Sequence, residues 1–265
     1  MRSVKIKEVI NALEQFAPLP LQEDYDNAGL QVGLTETEVS GALLCLDVTG
    51  DVLNEAINTG CNLVVAHHPL IFHKLARVAD ENMVQRIVRN AIQNGITIVA
   101  MHTNIDAAEG GVNHKIAEKL GLQNLRPIGK EKQVGTVCGS DGIIGSLPHP
   151  MSAREFIELL KTRFNVECLQ ANQLLQRNIK RVALCGGAGS FLLDDAIKAG
   201  ADAFLTGEMH YHEYFGHEQE IQICVIGHYQ SEQFTPEIFK SIIERSCPGV
   251  SCIISETNTN PIVYL

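Results

Sequence analysis

The chain has 265 residues, 45% hydrophobic and 20% charged, which suits one or two globular domains and argues against long disordered segments. A formal net charge of −10 sets the surface as a whole against nucleic acid and anionic membrane, while leaving room for a local positive site made by bound metal. Met1-Arg-Ser-Val-Lys-Ile-Lys lacks the apolar core of a signal peptide, and no apolar run approaches a membrane span, so a cytoplasmic location is expected.

From residue 41 onward, apolar runs alternate with helical patterns. Strands are predicted at 41–47, 62–66 and 96–101, with helices at 51–59, 80–94 and 111–120. The middle of the chain offers possible strands at 134–138 and 142–147 and a helix at 152–163. Strands then follow at 180–185, 202–206, 221–226 and 250–254, with helices at 191–199, 208–215 and 231–245. Such alternation predicts an α/β fold with mixed or largely parallel sheets. The eight cysteines form no C-x-x-C pair, and several sit in apolar strands, as in Leu-Leu-Cys45-Leu and Ala-Leu-Cys185. They read as small buried hydrophobes; a zinc finger or disulfide framework is not expected.

The two halves resemble each other. The stretch from Ala42 lies over the stretch from Val182 without a gap, pairing Cys45 with Cys185, Ala56 with Ala196 and Gly60 with Gly200. Further on, VAMHTNID matches VIGHYQSE, pairing His102 with His228 and Asp106 with Glu232. This predicts two similar α/β halves, 1–126 and 127–265, facing one another across a shared site.

Three motifs stand at strand ends. His67-His68-Pro69 closes one strand, and the proline forces extended or turning backbone there, so adjacent imidazoles can serve neighbouring ions. His102-Thr-Asn-Ile-Asp106 and His228-Tyr-Gln-Ser-Glu232 each follow another strand, with imidazole and carboxylate spaced to share one helix face. Ligands gather at the carboxyl ends of strands in α/β sheets. Imidazole with carboxylate suits zinc, iron, manganese, cobalt or nickel, and the lack of thiolate ligands favours an open site. The competing reading of Asp106 and Glu232 is helix N-capping. Cys185-Gly-Gly-Ala-Gly-Ser190 is either a plain tight turn or a phosphate cradle, without the Lys-Ser/Thr of a P-loop. His210, His212 and His217 are weaker candidates for touching a substrate; His73, His114 and His149 read as structural or solvated.

Taken together, Asp26-Asn-Ala-Gly29-Leu30, LVVAHHPLIF, MHTNIDAAEGGVN, CGGAGS, AGADAFLTGE and GHYQSE resemble the NGG-one-interacting-factor-three-like family of dinuclear metal proteins, often labelled GTP cyclohydrolase I type two homologues. The matching stretches run from near residue 26 to near 232. The resemblance implies two divalent ions per chain: His67, His228 and Glu232 on one, His68, Asp106 and Glu232 on the other, with Glu232 bridging. His102 would lie close by, supporting a ligand or carrying protons, and is the expected catalytic residue. The resemblance also implies a ring-shaped homohexamer; the large domain that some members insert between the halves looks absent here. One departure is His114, where an acidic residue is expected. The expected function is a metal-dependent hydrolase of a nucleotide or other small phosphorylated or cyclic-amide compound. The alternative is a non-catalytic metal-holding or partner-binding oligomer.

Overall fold

The computed structural model describes residues 3–263. In chain order the helices are α1 (Ile6–Phe16), α2 (Gly50–Asn58), α3 (Met83–Gln93), α4 (Thr103–Ala107), α5 (Val112–Leu120), α6 (Ala153–Phe164), α7 (Leu193–Lys198), α8 (His228–Glu232) and α9 (Thr235–Ser246). The strands are β1 (Gly29–Val32), β2 (Ala42–Cys45), β3 (Leu63–Ala66), β4 (Thr97–Ala100), β5 (Gln123–Val134), β6 (Val137–Met151), β7 (Gln170–Ala171), β8 (Ile179–Cys185), β9 (Ala203–Thr206), β10 (Gln222–Val225) and β11 (Cys252–Ile254). The protein is α/β, as its sequence alternation predicts. None of the helices among the described residues is long and apolar enough to cross a membrane.

Two compact units emerge, one comprising residues up to Ile105 with those from Phe234 onward, the other Asp106–Gln233. These boundaries differ from a division at 126/127. The physical reason is β11, which pairs in parallel with β2 and so returns the C-terminal segment to the first unit. The first unit carries a sheet in the order β1-β4-β3-β2-β11. β2, β3, β4 and β11 run parallel, and β1 closes one edge antiparallel to β4. The residues of β2, β3 and β4 are all buried, which explains why each reads as a short unbroken apolar run. Helix α2 starts where the Thr49 hydroxyl accepts from Val52 N at 3.2 Å, and α3 where Asn82 accepts from Gln85 N at 3.0 Å. Helix α1 lies outside the predicted elements. Its apolar stripe Ile6, Val9, Ile10 and Leu13 is buried, and it packs against α9.

The second unit has a six-stranded sheet, β5-β6-β8-β9-β10-β7. Its centre repeats the parallel arrangement in β8, β9 and β10, so β2, β3 and β4 have counterparts as the internal repeat predicts. Around that centre the strands are antiparallel: β5 and β6 form a long hairpin, and β7 pairs with β10. Residues 134–138, predicted as a strand, instead contain the tip of this hairpin, where Gly135 turns the chain at φ +61°. The predicted helix at 208–215 is replaced by a single 3₁₀ turn at Tyr211–Tyr214. The predicted helix at 231–245 divides into α8 and α9, with Pro236 in the first turn of α9.

Candidate metal centre

In the first unit, neighbouring parallel strands deliver their chemistry at their carboxyl ends. His67 and His68 follow β3 directly, His102 comes two residues after β4, and Asp47 two residues after β2. The three rings form a nearly equilateral group, with centroids 4.8 Å apart for His67–His68 and 5.4 Å for His102 with each of the others. One ring nitrogen from each lies within 4.8 Å of the other two. His67 is buried; His68 and His102 are partly buried.

All three histidines are held by Nδ1. His67 Nδ1 donates to the Met101 carbonyl at 2.9 Å, His68 Nδ1 to Asp47 Oδ1 at 2.7 Å, and His102 Nδ1 to Asp26 Oδ1 at 2.7 Å. A carbonyl and ionised carboxylates only accept, so Nδ1 carries a proton in each ring and Nε2 is the nitrogen that can meet a metal. That is the arrangement in which histidine ligands meet metal, with an acceptor behind each ring fixing tautomer and orientation. The acceptors are themselves fixed. Asp26 accepts from Thr103 N at 3.0 Å and Asn27 N at 2.6 Å, and Asp47 Oδ2 accepts from the Thr259 hydroxyl at 2.6 Å. Burial pushes the Asp26 carboxyl up, but its bonds to His102 and Thr103 outweigh this and hold it at about 2. The balance at Asp47 has the same form: burial raises it, and His68 and Thr259 leave it below the ordinary carboxylate range.

The second unit presents the complementary chemistry on α8. His228 and Glu232 are one turn apart, with Nε2 and Oε2 at 3.1 Å, while His228 Nδ1 lies 2.9 Å from Glu208 Oε1. The imidazole therefore stands between two carboxylates, and the Nε2 side needs a proton or a cation between nitrogen and oxygen. Glu232 is only 2% exposed and ends α8, with no capping bond at the start of α8 or α9, so N-capping does not describe it. Asp106 lies in α4; its backbone carbonyl accepts from Asn113 Nδ2 at 3.1 Å. Burial pushes the Cys185 thiol well up, and the Asp106 and Glu232 carboxylates push it further, so negative charge collects in this region.

The glycine turn after β8 is a tight turn. Its amides are committed internally: Gly186 N to Asn113 Oδ1 at 2.9 Å, Gly187 N to Ser231 Oγ at 2.9 Å, and Gly189 N to Thr206 Oγ1 at 3.0 Å. Gly187 adopts φ +57°, and a Cβ there would collide with Glu232 Oε1. The turn thus brings backbone up to the carboxylate, with three of its amides already committed. His210 and His212 are exposed, and His217 pairs with Glu220 at 3.0 Å. None of the three joins a metal-competent group among the described residues.

Sequence reasoning did not single out Asp47 and Glu208. The signal that finds them is position: both stand at carboxyl ends of central parallel strands, as the histidines do. Imidazole nitrogen and carboxylate oxygen are the donor types that fit a divalent ion with nitrogen and oxygen preference. Buried histidine and glutamate clusters of this kind could hold metal.

The family model for Duf34/NIF3 (NGG1p interacting factor 3) matches residues 4–261. A Clostridium perfringens protein called GTP cyclohydrolase 1 type 2 homolog is 32% identical, covering 99% of this chain and 100% of its own length. A Clostridium acetobutylicum protein of the same name is 29% identical, covering 99% of both chains. Among solved structures, a Bacillus cereus protein related to NIF3 superposes with a TM-score of 0.89 at 23% identity over all of both chains. A Staphylococcus aureus hypothetical protein gives 0.89 at 26% identity, again over all of both. The chain belongs to the Duf34/NIF3 (NGG1p interacting factor 3) family.

Proposed function

We propose that this protein is a dinuclear metal-dependent hydrolase acting on a nucleotide or another small phosphorylated or cyclic-amide compound. His67, His68, Asp106, His228 and Glu232 are its ligands for two divalent ions. The observation that carries the reading is the common setting of the histidines. His67, His68 and His228 each have Nδ1 on an oxygen acceptor, which leaves Nε2 as the ligand atom. The motif resemblance supports the pairing of these donors with Asp106 and Glu232.

When bound, the ions supply Lewis acidity for a substrate oxygen and for water activation. The protein's own residues do the rest. Asp47 and Glu208 hold the His68 and His228 rings, the bond from Gly187 N to Ser231 Oγ ties the glycine turn to α8, and Glu232 brings a buried carboxylate. The name shared by the curated relatives makes GTP ring opening the first reaction to assay. The reading includes a cytoplasmic location, and a homohexameric ring because the motif resemblance implies one.

The test is metal content by elemental analysis on tag-free protein, wild type beside His68→Ala/Asp106→Ala. About two equivalents in the wild type, falling to about one or fewer in the variant, support a two-ion centre. No bound metal after supply of zinc, manganese and iron overturns it. Glu232→Gln then separates the roles: lost turnover with an intact assembly is catalysis, whereas a lowered melting temperature or broken assembly points to metal that only holds structure.

A further inference from the structure

The ligand set accounts for metal but not for what holds the rest of a substrate. In the first unit, two exposed aromatic side chains stand beside the histidines. We infer that Tyr25 and Phe72 form the seat for a planar heteroaromatic ring, which narrows the substrate to compounds carrying a ring of the nucleobase type. This rests on the reading of the adjacent histidines as part of a hydrolase's metal centre.

Placement comes first. Ring centroids run 6.4 Å from Tyr25 to Phe72, 6.3 Å from Phe72 to His102, and 5.4 Å from His102 to both His67 and His68. A continuous line of rings thus leads from the surface to the candidate donors. A flat ligand in contact with Phe72, about 3.5–4 Å away, brings its substituents to the edge of the histidine group.

Availability comes next. Tyr25 is 65% exposed and Phe72 42%. One exposed apolar side chain is ordinary, but a touching pair beside a candidate centre marks a binding surface. Phe72 meets Tyr25, His73 and His102 at interplanar angles of 56°, 75° and 80°, so none of these rings stacks on it. Aromatic rings favour offset stacks and edge-to-face contacts, and an incoming heterocycle can make either here.

Rigidity completes the seat. The two loops that carry the rings are tied together: Asn27 Nδ2 donates to the Ile71 carbonyl at 2.6 Å, and Ile71 N donates to Gln31 Oε1 at 3.1 Å. Gln31 Nε2 in turn donates to the Asn27 carbonyl at 2.6 Å. Tyr25 directly precedes Asp26, whose side chain is out of solvent and accepts from His102 Nδ1 and Thr103 N. Backbone under both rings is therefore fixed in advance, which lowers the entropic cost of binding.

The test uses full-length protein loaded with zinc and freed of excess ion. Adenosine, guanosine and uridine 5′-monophosphates are the probes, and ribose 5-phosphate is the control without a base. In equilibrium dialysis at least one nucleotide should bind more tightly than ribose 5-phosphate, by about 5–150-fold. Tyr25→Ala and Phe72→Ala should each remove much of that advantage, leaving metal content and ribose 5-phosphate binding unchanged. Tyr25→Phe and Phe72→Tyr keep a ring and should restore it. Nucleotides bound no better than ribose 5-phosphate, or bound alike by both alanine variants, overturn the inference; metal still present leaves the metal reading standing. A smaller assembly in Phe72→Ala with nucleotide affinity unaltered assigns the rings to contact between copies and also overturns it. No ion in the wild type after supply of zinc defeats the metal reading and the inference with it. NMR of the unsubstituted protein covers variants that fail to fold. The bound nucleotide should shift the ring protons of Tyr25 and Phe72, and resonances unmoved at saturation overturn the inference.

Discussion

Asp47 commits both oxygens, one to His68 Nδ1 at 2.7 Å and the other to the Thr259 hydroxyl at 2.6 Å. Thr259 thereby reaches a proposed metal ligand through one intervening side chain. Asp47→Ala frees the His68 ring to rotate and exchange tautomers, and should weaken metal binding by about 10–100-fold in a chelator competition. Asp47→Asn keeps an acceptor and loses the charge, so its effect should be smaller. Thr259→Val should act in the same direction and be smaller still. Equal affinity across the series would mean that His68 is fixed by packing alone. Gly187 makes a second prediction at this scale. Alanine there faces left-handed backbone and a collision with Glu232, so Gly187→Ala should cost about 1–2 kcal/mol in thermal melts. It should also weaken metal binding by displacing the carboxylate; a loss of stability with metal affinity untouched would show that Glu232 simply moves aside. The proposed ligands stand out in the sequence because His102 and Asp106, and His228 and Glu232, combine imidazole and acid at helical spacing directly after apolar strands. Asp47 and Glu208 do not, because a single acid in a loop looks like any solvated residue until the fold sets an imidazole against it.

Among the elements, the central strands were legible for a simple reason. A parallel strand covered on both faces reads as a short continuous apolar run, and β2, β3, β4, β9 and β10 are buried throughout. The hairpin fails that test. Most residues of β5 are exposed, Lys130 and Glu131 among them, so neither alternation nor an apolar run betrays its length. The C-terminal segment was legible only as the short strand at 250–254, because what fixes the residues after it is a distant side chain. Glu55 of α2 accepts from the Ser255 hydroxyl at 2.6 Å, Glu256 N at 2.8 Å and the Thr257 hydroxyl at 2.7 Å. Burial raises the Glu55 carboxyl, and these bonds more than reverse it, leaving it below its ordinary 4.5. A depressed carboxylate stabilises the folded state fully above its unfolded value and loses that contribution as pH falls through the lowered one. Protection of the Glu256 amide, corrected for intrinsic exchange, should therefore hold above pH 4.5 and decline below it. Glu55→Gln should remove that dependence. A decline at the same pH in the variant would assign the effect to another group.

For the whole molecule, metal and stability are linked by mass action. In the proposed centre the donors are distant in sequence and are assembled only by folding, so ions bound there would favour the native state. At a free concentration one hundred times the dissociation constant, a single site adds about 2.7 kcal/mol, less whatever the unfolded chain recovers through its own histidines and cysteines. Zinc or manganese should therefore raise the melting temperature of chelator-treated protein by several degrees. His68→Ala/Asp106→Ala should respond less. Assembly is read in the same samples by light scattering, where the proposed ring elutes at about six times the 29.0 kDa chain mass. If metal raises the melting temperature and leaves the mass unchanged, the ions act within each chain and the ring forms on its own surfaces. If chelation halts the ring and metal restores it, the ions also support assembly. A melting temperature indifferent to every metal would remove the ions from the native state, and the hydrolase reading with them.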